Sequence, residues 1–174
     1  MTTDTDQLPR WSTADVHESL DAQSFRDAME RAGADAARLV ALFDEHNIRA
    51  VDPRPVTADD GRAADAAIRE YNRLLADAQT TAATAYAFVS TDSRDDRAQA
   101  AFGEITAMQA VVTPLMARLA DWVRALGVDD LAAVSTEIAE HAEPLRRLAE
   151  RAEHQMSEAE ENLYAELSVT GSSA

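Results

Sequence analysis

The stretch ITAMQAVVTPLMARLADWVRAL, residues 105–126, decides how this chain folds. Its large apolar side chains Ile105, Met108, Val112, Leu115, Leu119, Trp122 and Leu126 recur at spacings of three and four. That is the period of one face of an α-helix, without the alternation of a strand. Gly127 follows at once and suits the left-handed conformation that ends a helix. Pro114 lies inside the pattern. It removes one backbone donor and crowds the carbonyl four residues back, so a kink is expected there.

The same seam recurs on both sides. Upstream, Phe25, Met29, Ala32, Ala36, Leu39 and Phe43 mark a first helix from about Asp21 or Ser24 to His46, ended by the loop carrying Pro53 and Pro55. Thr57 with Asp60 resembles a capping box and opens a second helix to about Ser90. Its stripe is Ile68, Tyr71, Leu75, Ala78, Ala82, Ala85 and Val89. After the turn at 91–96 the third helix runs from about Asp95 to Leu126. Downstream of Gly127 a fourth helical region starts near Asp129, with Val134, Ile138, His141, Leu145, Leu148 and Ala152 on its stripe. Pro144 predicts a kink or break in it. Ser157 with Glu160 is a second capping box, which predicts an interruption at 155–157 and a short helix to about Leu167. The expected fold is all-α: an antiparallel up-down bundle of about four long helices with a short extra C-terminal helix. Residues 1–12 are read as an extended segment, 13–167 as the bundle domain and 168–174 as a flexible tail. Trp11 is read as a lid over the end of the bundle.

Composition agrees. Of 174 residues 37 are Ala, and Gly and Pro number only 5 each, a helical balance. There are 32 acidic and 16 basic residues, a formal net charge of -16, and every basic residue is Arg. Without Cys there is no disulfide, thiolate metal site or cysteine nucleophile. Without Lys there is no Schiff base and no GxxxxGK phosphate loop. The acidic balance opposes nucleic-acid binding, which needs clustered positive charge. The longest uncharged runs, at 78–91 and 105–117, fall short of the ~20 apolar residues of a membrane span. The acidic start lacks the positive region of a signal peptide, and a cytoplasmic location is expected.

No catalytic, cofactor or metal residue emerges. A di-metal carboxylate bundle needs Glu three residues before an inward His; before His17, His46, His141 and His154 stand Ala14, Phe43, Ile138 and Arg151. The single His-Glu pair, His17-Glu18, lacks the second His of a zinc-peptidase helix. His154 and Glu158 are four apart, but the cap at Ser157 falls between them. His141 reads as a partly buried imidazole bonded to a carboxylate or carbonyl. No Ser stands in a GxSxG elbow. The acidic clusters at 59–60, 92–96, 129–130 and 158–161 fall at helix starts, where the helix dipole favours them.

Several segments, in this order and spacing, carry a resemblance: Leu8-Pro9-Arg10-Trp11; Leu42-Phe43-Asp44-Glu45-His46; Thr91-Asp92-Ser93-Arg94-Asp95-Asp96 with Ala98-Gln99-Ala100; Met156-Ser157-Glu158-Ala159-Glu160-Glu161; and Ala165-Glu166-Leu167-Ser168-Val169-Thr170-Gly171. Together they resemble the N-terminal helical region of bacterial oligoendopeptidase F-type enzymes, relatives of thimet oligopeptidase, from about Leu8 to Gly171. The resemblance implies a cytoplasmic zinc metallopeptidase that cuts short peptides in a deep channel. Its helical lobe would form part of the channel wall, and its HExxH zinc helix lies in a later catalytic region. Val169, Ser172-Ser173 and His141 depart from the family pattern, and no HExxH occurs here, so no catalytic or zinc-ligating residue carries over. Two functions are expected on this basis. The chain is the helical lobe of a peptidase, partnered by a catalytic lobe of the same or an adjacent polypeptide. Alternatively it is a free-standing bundle that binds a peptide or protein partner, or itself.

Overall fold

A computed structural model describes residues 14–153. Among them are six helices and no strand: α1 (Gln23–Glu45), α2 (Ala58–Thr91), α3 (Asp96–Leu126), α4 (Val128–Ala132), α5 (Thr136–Glu140) and α6 (Ala142–Glu153). The chain is all-α, and its three long helices begin and end within a residue or two of the positions their caps predict. Asp95 caps α3 by accepting from the Arg97 and Ala98 amides at 2.9 and 3.2 Å. At the other end Gly127 takes φ 85° and ψ 128°, a positive-φ conformation open to glycine, and its amide donates to the Val123 carbonyl at 2.9 Å. α3 runs unbroken through Pro114. Ala110, whose carbonyl the proline leaves without a helical donor, and Pro114 itself are both exposed, so water can reach that carbonyl. The extended segment 1–12, the Trp11 lid, the interruption at 155–157, the helix after Ser157 and the tail lie outside the described residues.

The described residues divide into two compact units. In the first, residues 14–45 and Ala66–Leu115, α1, α2 and α3 form an antiparallel up-down bundle. Arg31 meets Asp77 at 2.8 Å and Arg38 meets Glu70 at 2.9 Å, so α1 ascends as α2 descends. The Tyr86 and Phe102 rings lie 6.0 Å apart. Phe25, Ala85 and Ile105 bring the three helices into one cluster, with Leu20, Met29 and Phe102 around it. On α1 the predicted seam is buried at Phe25, Ala32, Ala36, Leu39 and Phe43.

On α2 the seam is turned relative to the expectation. Leu75, Ala78 and Ala82 are only half-buried, while Leu74, Thr81, Thr84 and Glu70 are buried. Polar side chains occupy this inner face because each is satisfied there. Thr81 and Thr84 donate to the carbonyls of Asp77 and Thr80 at 2.8 and 3.0 Å, the local bonding open to a helical Thr. Glu70 accepts from both Arg38 and Arg73 at 2.9 Å.

The second unit, His46–Asp65 and 116–153, holds the loop before α2, the first turns of α2, the end of α3 and all three short helices. Ile48, Trp122, Val123, Leu131 and Ile138 are its buried centre. The loop is held by Arg118, which donates to the Ile48 carbonyl at 2.9 Å. The expected fourth long helix is here divided into three. Ser135 is the reason for the first break: its hydroxyl accepts from the Ile138 amide at 3.1 Å and donates to Asp65 at 2.6 Å, starting a new helix rather than continuing the old one. Val134, expected on the stripe, is therefore exposed, and Val128 and Leu131 are buried in its place. Pro144 falls in the first turn of α6, where a missing amide costs nothing, and the second break comes just before it at His141.

Candidate functional surface

Many of the arginines among the described residues are ion-paired with carboxylates. The predicted box at Thr57 forms: the Thr57 amide donates to Asp60 at 2.8 Å and the Asp60 amide to the Thr57 hydroxyl at 3.3 Å. Arg54, which the sequence reading left out, adds two parallel hydrogen bonds to Asp60 at 2.8 and 2.7 Å. The Arg54 hydrogen bonds hold the Asp60 carboxyl well below its ordinary range, against the opposing effect of burial and with further help from Thr57. Asp35 and Glu70 are buried on α1 and α2 and bound by Arg38, with Arg73 on Glu70. Asp129, at the start of α4, pairs with Arg146 of α6 at 2.7 Å. These arrangements fix helices.

The histidines divide by environment. His17 is buried with its ring edge-on to Phe25, centroids 5.4 Å apart, and its Nδ1 lies 3.0 Å from the Ser24 hydroxyl. Its Nε2 has no hydrogen-bond partner. His46 is exposed just after α1. His141 is half-buried at the C-cap of α5, with Nδ1 2.9 Å from the Glu137 carbonyl, the partly buried, carbonyl-bonded imidazole that the sequence predicts. His154 lies outside the described residues. No group of three or more His, Cys, Asp or Glu among the described residues is placed to hold a metal ion. The donors among the described residues therefore do not fit a catalytic zinc.

What remains is an uncharged surface. The middle of α3 carries two apolar stripes. One is the inward seam. The other, Ala107, Ala110, Val111 and Pro114, repeats at i, i+3, i+4 and i+7 on the exposed side, and Val111 is 50% exposed. α3 is the one described helix long and apolar enough to cross a membrane by length and composition, yet only 11% of its most apolar window is buried. Its uncharged run, 105–117, is shorter than the ~20 residues of a span. Beside it, within the first unit, Leu74, Leu75, Ala78, Gln79 and Ala82 of α2 face Met108, Gln109 and Val112 of α3 across an open groove of about 240 Å³ with no charged lining residue. The sequence signal for this surface was the two long uncharged runs, which periodicity alone assigns to the core.

No curated protein and no solved structure matches the chain. Residues 125–174, which include the end of α3 and all of α4, α5 and α6, match the family model of Oligopeptidase F, in agreement with the N-terminal helical region that the sequence resembles.

Proposed function

We propose that this chain is the helical lobe of an oligoendopeptidase F-type zinc peptidase, a cytoplasmic enzyme of short peptides. The lobe shapes the channel that admits substrate and performs no chemistry itself. The zinc and the catalytic residues belong to a catalytic lobe, of the same or an adjacent polypeptide. The family match over 125–174 supports the relation to the peptidase. One structural observation carries the reading further. A long uncharged, largely apolar stretch of helix is ordinarily covered, and the middle of α3 is uncharged and largely apolar but mostly exposed. The stripe Ala107, Ala110, Val111 and Pro114 is the face that a neighbouring lobe would cover. Thr106, Gln109 and Thr113 among the exposed positions suit a protein neighbour better than hydrocarbon.

Two measurements test this. The purified chain, given fluorogenic short peptides with and without added zinc, is expected to show no cleavage; zinc-dependent turnover would overturn the assignment of chemistry to another lobe. Reading the gene onward from the Ala174 codon is expected to find an HExxH motif in frame or in an adjacent reading frame. If neither is there, and the chain instead self-associates through α3, the free-standing bundle is the correct reading.

A further inference from the structure

Met108 stands in the apolar seam of α3 between Ile105 and Leu115, yet it is covered less than either. Ile105 and Leu115 are buried, and Met108 is half-buried. The turned seam of α2 is the cause. Leu74 and Thr81 are buried there, so Leu75, Ala78 and Ala82 form one wall of the open groove, and Met108 and Val112 form the other. The three described methionines therefore differ in setting. Met29 packs on the cluster of Phe25, Ala85 and Ile105. Met116 is half-buried in the second unit. Met108 lines a groove of about 240 Å³, several times the ~30 Å³ share of a water molecule, so a small oxidant fits against it. With no Cys in the chain, thioethers are its only sulfur.

Two polar side chains share the groove, Gln79 from α2 and Gln109 from α3. Each carboxamide carries two N–H donors. A thioether is a weak acceptor and gives them little to bind. A sulfoxide is polar, and its oxygen would suit both.

We propose that Met108 is an oxidation site: a peroxide converts its thioether to the sulfoxide, and the Gln79 and Gln109 amides hold the new oxygen. The sulfur lone pair attacks one peroxide oxygen, and the S–O bond forms as the O–O bond breaks. The departing hydroxide takes the proton of the transferred hydroxyl and leaves as water. Sulfur thereby loses the two electrons that the peroxide gains. An amide N–H lining the groove stabilises the charge that develops on oxygen. The floor of the groove changes from apolar to polar. An apolar side chain resting there must then strip water from the sulfoxide, which is unfavourable. Oxidation thus weakens apolar contacts at this groove while the helices stay packed. This does not depend on the peptidase reading.

The full chain, isotopically labelled at methionine methyls and glutamine side-chain amides, is treated with hydrogen peroxide and followed by NMR. The Met108 methyl signal is expected to move to its sulfoxide position several-fold faster than those of Met29 and Met116. The Gln79 amide signal should shift at the same rate, and Gln79 lies on the other helix, so nearness in sequence cannot explain it. In Met108→Leu, a volume-conserving change that cannot be oxidised, peroxide should leave the Gln79 signal in place. Met29 or Met116 reacting as fast as Met108 would overturn the site. A Gln79 signal unmoved by oxidation, or moved equally in Met108→Leu, would overturn the role of the amides. An oxidised parent that unfolds far more easily than oxidised Met108→Leu would show that the helices do not stay packed.

Discussion

Gly61→Ala should destabilise this protein although it improves a helix. Gly61 lies in the first turns of α2, where replacing Gly by Ala ordinarily gains about 0.5–1 kcal/mol. A Cβ built there, however, meets the Val134 carbonyl oxygen at 2.2 Å, its carbon at 2.8 Å and the Val134 Cγ2 at 3.1 Å. The obstacle is backbone, which cannot rotate aside. Restoring contact distance requires α2 and the turn before α5 to separate by about 1 Å, and overpacking of this kind costs about 1–3 kcal/mol. The same turn carries Ser135, whose hydroxyl donates to Asp65 at 2.6 Å, and Glu137, whose amide donates to the same oxygen at 3.0 Å. A 1 Å separation stretches both past useful length, at roughly 0.5–1.5 kcal/mol each. The net expectation is a loss of about 2–4 kcal/mol, or on the order of 5–15 °C in Tm for a chain of this size. Gly33 and Gly103 are internal controls, since a Cβ at either has nothing within 4 Å. Alanine at those sites should raise Tm slightly. Thermal and urea unfolding followed by far-ultraviolet circular dichroism decides it. A Gly61→Ala chain as stable as the parent would refute the close approach of α2 to Val134.

Asp60→Asn should cost about 1–2 kcal/mol at neutral pH, since it removes the charge that Arg54 grips through two hydrogen bonds while Arg54 stays partly solvated. Because the folded-state pKa of Asp60 is depressed below its ordinary 3.8, the unfolded chain binds the proton first. The stability that this carboxylate supplies is complete above about pH 5 and is lost as pH falls through 4 and below. Parent and variant unfolding curves should therefore converge in acid, and a gap that stays constant to low pH would contradict the assignment. Ser135→Ala removes both a cap and a buried hydroxyl and should cost about 1–3 kcal/mol in urea unfolding. Ser135→Thr, which keeps the hydroxyl, should retain most of that stability. Val111→Glu, on the exposed stripe of α3, should change unfolding by no more than about 0.5 kcal/mol; a larger loss would show that Val111 is already covered in the isolated chain.

The long helices were legible because two independent signals agreed on each. On α3, the seam from Ile105 to Leu126 and the caps Asp95 and Gly127 gave both its face and its limits. Elsewhere one signal was missing or outweighed. The inner face of α2 includes Thr81, Thr84 and Glu70, which hydrophobic patterning counts as outward. Their burial depends on carbonyls one turn back and on Arg38, a residue on another helix. The fourth region failed at Ser135 for a related reason. A serine inside an apolar stripe looks like a tolerated helical residue until Asp65, seventy positions earlier, accepts its hydroxyl and makes it a cap. Arg54 escaped notice as one cation among prolines, and became a clamp only once Asp60 was placed beside it.

The same limit explains the functional surface. Periodicity sorts residues into an inside and an outside by assuming that apolar means inside. On α3 that rule is satisfied by the seam through Ile105 and Leu115 and then broken by Ala107, Ala110, Val111 and Pro114, which are as apolar and stay in water. A chain with a net charge of -16 has ample charge for a solvated helix face, and here it uses none between Glu104 and Arg118. Keeping charges off a surface has a physical use where something else is to cover it, because burying an unpaired charge against a neighbour costs several kcal/mol. The charge-free face is the feature on which the proposed contact with a neighbouring lobe rests. The ion pairs of α1 and α2, Arg38 with Asp35 and Glu70, and Arg31 with Asp77, are closed between those helices and draw on no residue of this face.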